Sequence, residues 1–144
     1  MTNKNTVTVV TPPDLHINVL GPIVLLLGVD LAGSKSYTEI YERLFTEVEI
    51  NFFVSEQGFD YGQTAWYRAA AGMASSVFIN VEDATREEIY LATQIDKQGE
   101  AMVFWISETM KSSTMISMLN SYQTRIFQSL DEVEKFLVDG YKES

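Results

Sequence analysis

A chain of 144 residues with twenty acidic and ten basic side chains carries a net charge of −10, and 46% of it is apolar. Binding to a polyanion draws on clustered lysine and arginine, so this balance excludes nucleic acid as a partner. No cysteine and a single histidine, His16, exclude disulfides, thiolate zinc sites, cysteine nucleophiles and metal centres built on several imidazoles. His16 lies between Leu15 and Ile17 near a pair of prolines, a setting for a structural or solvated side chain rather than a catalytic base.

The apolar content suffices for one core, and a second domain has no room, so residues 1–144 are expected to form a single domain. The longest apolar run, Val19 to Val29, is broken by Gly21, Pro22 and Gly28 and falls short of the ~20 residues a membrane span requires. Asp14 precedes it in place of a basic segment, unlike a secretion signal. A cytoplasmic protein without a membrane partner is expected.

In chain order, Thr6 to Val10 alternates like an edge strand and stops at Thr11-Pro12-Pro13-Asp14, because proline offers no ladder donor. Pro22 to Val29 reads as the first central strand, followed by a Gly/Ser loop from Asp30 to Ser36. Ser36 or Thr38 caps a helix through about Val48, with Ile40, Leu44 and Val48 recurring on one face. Glu49 to Val54 is the next central strand. A polar connection from Ser55 to Gln63 leads to an alanine-rich helix from Thr64 to Ala74. Loops of that length are often functional.

The run Ser76 to Val81 has the continuous apolar character of a buried parallel strand. A helix from about Thr85 to Lys97 follows, closes at Gly99, and leads into a strand from Ala101 to Ile106. A Ser/Met-rich stretch with a short helix from Ser113 to Leu119, a short strand from Thr124 to Gln128 and a terminal helix from Leu130 to Val138 complete the chain. Strands alternating with helices imply a three-layer α/β sandwich of the flavodoxin-like or Rossmann-like kind, with a five-stranded, mostly parallel sheet covered on both faces.

Three constellations carry chemistry. Gly28-Val29-Asp30-Leu31-Ala32-Gly33-Ser34-Lys35-Ser36 is not a P-loop, where lysine follows the second glycine directly; here Ser34 intervenes. It is either a structural turn or a loop offering backbone N–H groups to an anion or a sugar hydroxyl. Glu87 and Glu88 sit in the first turn of a helix at the carboxyl end of a strand, where open α/β sheets keep their ligands. Acidic residues are also favoured there by the helix dipole. They are about 100° apart around the helix, so only one faces a cleft, and Glu88, four residues before Ala92, is the better candidate. Glu82 and Asp83 offer a second acid nearby, and Asp60 and Tyr61 in the long loop are the other polar candidates, unless Gly58 to Gly62 is simply a turn. Trp66 and Tyr67 open the alanine-rich helix as core residues or as a ligand platform.

The chain resembles the nucleoside 2-deoxyribosyltransferase-like proteins, a flavodoxin-like group that includes deoxynucleotide N-glycosidases. The resemblance runs through Thr11-Pro12-Pro13, Gly21-Pro22, Leu31-Ala32-Gly33-Ser34, Trp66, Met73 to Ile79, Glu88-Ile89-Tyr90-Leu91-Ala92, Gly99 and Met102 to Ile106. It implies a small-molecule nucleoside or nucleotide as substrate, with Glu88 as nucleophile at C1′ of the sugar. Asp83, Asp60 or Glu82 would be the acid near the base. Gly33 and Ser34 would hold the sugar, with Tyr37 close behind, and Trp66 and Glu82 are further substrate-binding candidates. It implies no metal or organic cofactor, and a homo-oligomer, since such proteins commonly complete their sites across subunits. The chemistry is that of a retaining glycosidase, in which a glycosyl-enzyme is resolved by a second base or by water. Tyr90 stands where the family has glycine, and Asp83-Ala84-Thr85 lacks the glycine of its usual lead-in.

Overall fold

The computed structural model describes residues 6–12, 14–15, 22–44, 49–56, 61–99, 101–107 and 126–143. Its strands are β1 (Thr6–Val10), β2 (Ile23–Asp30), β3 (Glu49–Ser55), β4 (Ser76–Asn80), β5 (Met102–Ile106) and β6 (Ile126–Phe127). The helices are α1 (Ser34–Leu44), α2 (Thr64–Met73), α3 (Arg86–Gln98) and α4 (Leu130–Glu143), with a 3₁₀ turn at Tyr61–Gln63 before α2. The helix expected at Ser113 to Leu119 falls outside the described residues, as do His16 and Asp60.

Among the described residues the sheet has six strands in the order β1-β3-β2-β4-β5-β6, where five were expected, and every pairing is parallel. Without β1, the order from β3 to β6 is the flavodoxin-like 2-1-3-4-5 arrangement. β1 adds a sixth strand outside β3, with Thr6 opposite Glu49 and Val10 opposite Phe53. Edge character was legible in its alternation; which strand it would join was not.

Residues of the central strands are buried on both faces. In β2 all six residues from Val24 to Val29 are buried, as a parallel strand covered by helices requires. α2 and α3 cover one face, packing Trp66, Tyr67, Ala70, Ala71, Ile89, Ala92 and Ile95 onto Leu25, Leu27, Val77 and Ile79. α1 and α4 cover the other, where Tyr37, Ile40, Tyr41 and Val133 meet Leu26, Phe52, Phe78 and Phe104. Phe78 and Phe104 stack with centroids 4.8 Å apart, and Tyr41 meets Phe52 edge-on at 5.2 Å.

The chain leaves β2 through α1 to β3 on one side, then returns through α2 to β4 on the other. The connections reverse between β2 and β4, and the carboxyl ends of these two strands form the switch-point crevice where open α/β sheets hold ligands.

Candidate functional site

β2 does not run regularly into that crevice. Its register against β3 shifts between Leu25 and Asp30, and Gly28 adopts φ +68°, a left-handed conformation that L side chains enter at a cost. A Cβ on Gly28 would collide with the Asn80 carbonyl oxygen and lie 3.0 Å from Ala84 N. Backbone therefore meets backbone across the floor of the crevice, leaving no space for a methyl group. The bulge also turns the Gly28 N–H away from the ladder, and it donates to Glu88 Oε2 at 2.8 Å.

Glu88 belongs to the first turn of α3. Thr85 caps the helix, accepting from Glu88 N at 3.2 Å, while Glu88 Oε1 accepts from Thr85 N at 2.8 Å. This is the reciprocal capping box that a Thr-x-x-Glu spacing permits. The Thr85 hydroxyl lies 3.2 Å from the same oxygen. Both carboxylate oxygens are thus engaged, and Glu88 is 2% exposed. Glu88 does face the sheet side of α3, as its spacing from Ala92 suggested, but it meets the bulge of β2 there rather than an open cleft.

The other expected site residues take separate positions around the carboxyl edge. Asp30, at the end of β2, accepts from Gly33 N at 2.8 Å, so part of the Gly33/Ser34 loop is an Asx-type turn. Ser34 is buried and donates to the Leu31 carbonyl at 2.6 Å; α1 begins at Ser34 itself, earlier than the expected Ser36 or Thr38. Tyr37 is a core residue, edge-on to Phe78 at 5.6 Å. Trp66 is also core, and its indole N–H donates to the Asp14 carbonyl at 2.6 Å. Glu82 and Asp83 are exposed in the turn after β4, where Glu82 accepts from Ser107 Oγ at 2.5 Å and Asp83 from Asn80 Nδ2 at 3.0 Å. The mouth of the crevice is therefore rimmed by carboxylates from Asp30, Glu82 and Asp83.

An open groove of about 610 Å³ lies beside this edge, between the N-terminal half of α2 and the face of α3 from Arg86 to Gln94. Arg68 comes from α2, while Arg86, Glu87, Tyr90 and Gln94 come from α3, with the buried Tyr67 also in its wall. Glu87, not Glu88, is the first-turn carboxylate that reaches open space. Tyr90 is 66% exposed. The sequence reading passed over Arg68, Arg86 and Gln94, although Arg86, Tyr90 and Gln94 recur every four residues and so share one helix face.

Among the described residues no group of His, Asp and Glu is arranged to hold a metal ion, and no helix is long and apolar enough to cross a membrane. No protein-family model matches the chain, and no curated protein matches its sequence.

Proposed function

We propose that the domain receives a nucleoside or nucleotide at the carboxyl edge of its sheet and binds it without breaking the glycosidic bond. Binding at this edge is supported by the switch point between β2 and β4 and by the ligand-sized groove beside it. The observation that carries the non-catalytic part is the engagement of Glu88. A nucleophile at C1′ must reach the sugar, whereas this carboxylate is buried, accepts from Gly28 and Thr85, and faces a floor closed to a methyl group.

A second reading keeps the enzyme: N-glycosidic bond transfer or hydrolysis with Glu88 as nucleophile. Its support is the placement of Glu88 at the switch point, together with acceptor capacity, since a carboxylate has about four lone-pair sites and three donors lie within reach here. Turnover would require the Gly28 N–H to withdraw and the floor to open, so that Oε2 bonds to C1′ as the base leaves with a proton from a neighbouring acid. A homo-oligomer belongs to both readings through the family resemblance, and a cytoplasmic setting through the sequence pattern alone.

The test incubates the protein with deoxynucleosides and their 5′-monophosphates, with and without a competing free base, following products by chromatography and binding by calorimetry. Binding without release of base is the expected result. Release or exchange of base that disappears in Glu88→Gln would establish the enzyme and overturn the proposal, and absence of both binding and turnover would remove both readings.

A further inference from the structure

We infer that the groove between α2 and α3 recognises the phosphate and base of a nucleoside 5′-monophosphate, with Arg68 and Arg86 as the anion receptors and Tyr90 as the ring platform. This rests on the proposed binding of a nucleoside or nucleotide and places that ligand in the groove beside the carboxyl edge rather than in the switch-point crevice. The volume of about 610 Å³ suits a small organic ligand. Its charge is unusual for this chain: two of only four arginines line one groove of a molecule with net charge −10.

Their pairing sets them apart as well. Among the described residues Arg43 uses its guanidinium on Glu134, with contacts of 2.6 and 3.1 Å, whereas Arg68 and Arg86 form no ion pair. Two guanidinium groups in one groove favour an anion between them, and their planar forks match phosphate oxygens. Glu87 on the same wall offsets part of that charge, and the described lining residues together stay net positive.

The stripe on α3 supplies the rest of the recognition. Arg86, Tyr90 and Gln94 stand on successive turns, so the stripe spans about 12 Å at 1.5 Å per residue. Cation, exposed ring and carboxamide thus follow one another over the length of a mononucleotide. A phosphate at Arg86 would place a base against the ring of Tyr90 and its polar edge within reach of Gln94, which can donate and accept. The crevice mouth is a poor alternative for the phosphate. Asp30, Glu82 and Asp83 rim it, and the Ser34 hydroxyl is already bonded to Leu31.

Isothermal titration of the full chain with deoxynucleoside 5′-monophosphates, the parent deoxynucleosides and inorganic phosphate tests this in the wild type, in Arg68→Ala/Arg86→Ala and in Tyr90→Ala, with folding confirmed by circular dichroism. We expect the monophosphate to bind at least about 10-fold tighter than its parent. The double arginine variant should erase that preference, and Tyr90→Ala should weaken nucleoside and monophosphate alike. A preference unchanged in the double arginine variant overturns the inference. Nucleosides that bind with no gain from phosphate overturn it too, while leaving the proposed function standing. Arginine-dependent binding of inorganic phosphate without any nucleoside binding removes the nucleotide reading and leaves an anion site. No binding of any probe overturns both.

Discussion

The backbone N–H of Gly28 donates to Glu88 Oε2 at 2.8 Å, and this bond fastens the bulge of β2 to the first turn of α3 at the point where the sheet connections reverse. Removing the acceptor leaves a buried donor unsatisfied and dismantles the capping box together. Glu88→Ala is therefore expected to cost about 2–4 kcal/mol. Glu88→Gln keeps one acceptor for Thr85 but sets its amide donors toward Gly28, so about 1–2 kcal/mol is expected. Urea unfolding monitored by circular dichroism measures both, and an unchanged midpoint for the alanine variant would refute the clamp.

Gly28 and Gly99 share φ +68° but differ in surroundings. Gly99 ends α3, donating to Ile95 O at 3.1 Å and Asp96 O at 3.2 Å, and a Cβ there would meet nothing within 4 Å. Gly99→Ala should cost only the backbone term of about 1–2 kcal/mol. Gly28→Ala adds the collision with Asn80 and the approach to Ala84, so more than about 3 kcal/mol is expected. Equal losses in the two variants would show that packing around Gly28 relaxes freely.

Burial pushes the Tyr41 phenol well above its ordinary value, and a hydrogen bond with Ser76 offsets part of that rise. The folded state holds this proton after the unfolded chain has released it. Tyr41 therefore contributes stability that is full below about pH 10 and is lost as pH rises beyond it. Tyr41→Phe should leave stability at neutral pH nearly unchanged apart from the Ser76 bond and should flatten the alkaline decline. Denaturant midpoints across the alkaline range check this, and an identical slope in the two proteins would contradict it.

Arg43 and Glu134 tie α1 to α4 through a two-pronged ion pair with a closest approach of 2.6 Å. The hydrogen bond from Arg43 holds the Glu134 carboxyl below its ordinary value. Its contribution is present above the ordinary carboxylate range, about pH 4.3, and is lost as pH falls through the lowered value. Both side chains are accessible, so Arg43→Ala should shift the unfolding midpoint only slightly. The shift should vanish near 1 M salt, where charges are screened within about 3 Å; a large, salt-independent loss would point to packing instead.

Much of the fold is local in origin and was readable for that reason. Thr85 three residues before Glu88, and Gly99 after Gln98, mark both ends of α3 in the sequence, and the apolar runs mark β2, β3, β4 and β5. What could not be read was non-local. Gly28 is sixty residues from Glu88, so nothing beside either one announces their bond, and a glutamate suited by spacing to chemistry is equally suited to capping. The groove eluded the sequence for a similar reason: Arg68 and Arg86 are unremarkable apart until the pairing of β2 with β4 sets α2 and α3 side by side. Trp66 and Tyr37, read as possible ligand neighbours, are claimed by the two cores.

β1 precedes β2 and β3 in the chain, yet among the described residues its partner in the sheet is β3, and β2 lies between β3 and β4. During synthesis it has no partner until β2 and α1 have passed and β3 has emerged. The assembly order that follows puts β2 and β3 together around α1 before β1 docks, with non-local pairings of this kind slowing folding. Until then, a nascent segment with Val7, Val9 and Val10 stays unpaired, the state in which strands are most open to association with the wrong chain.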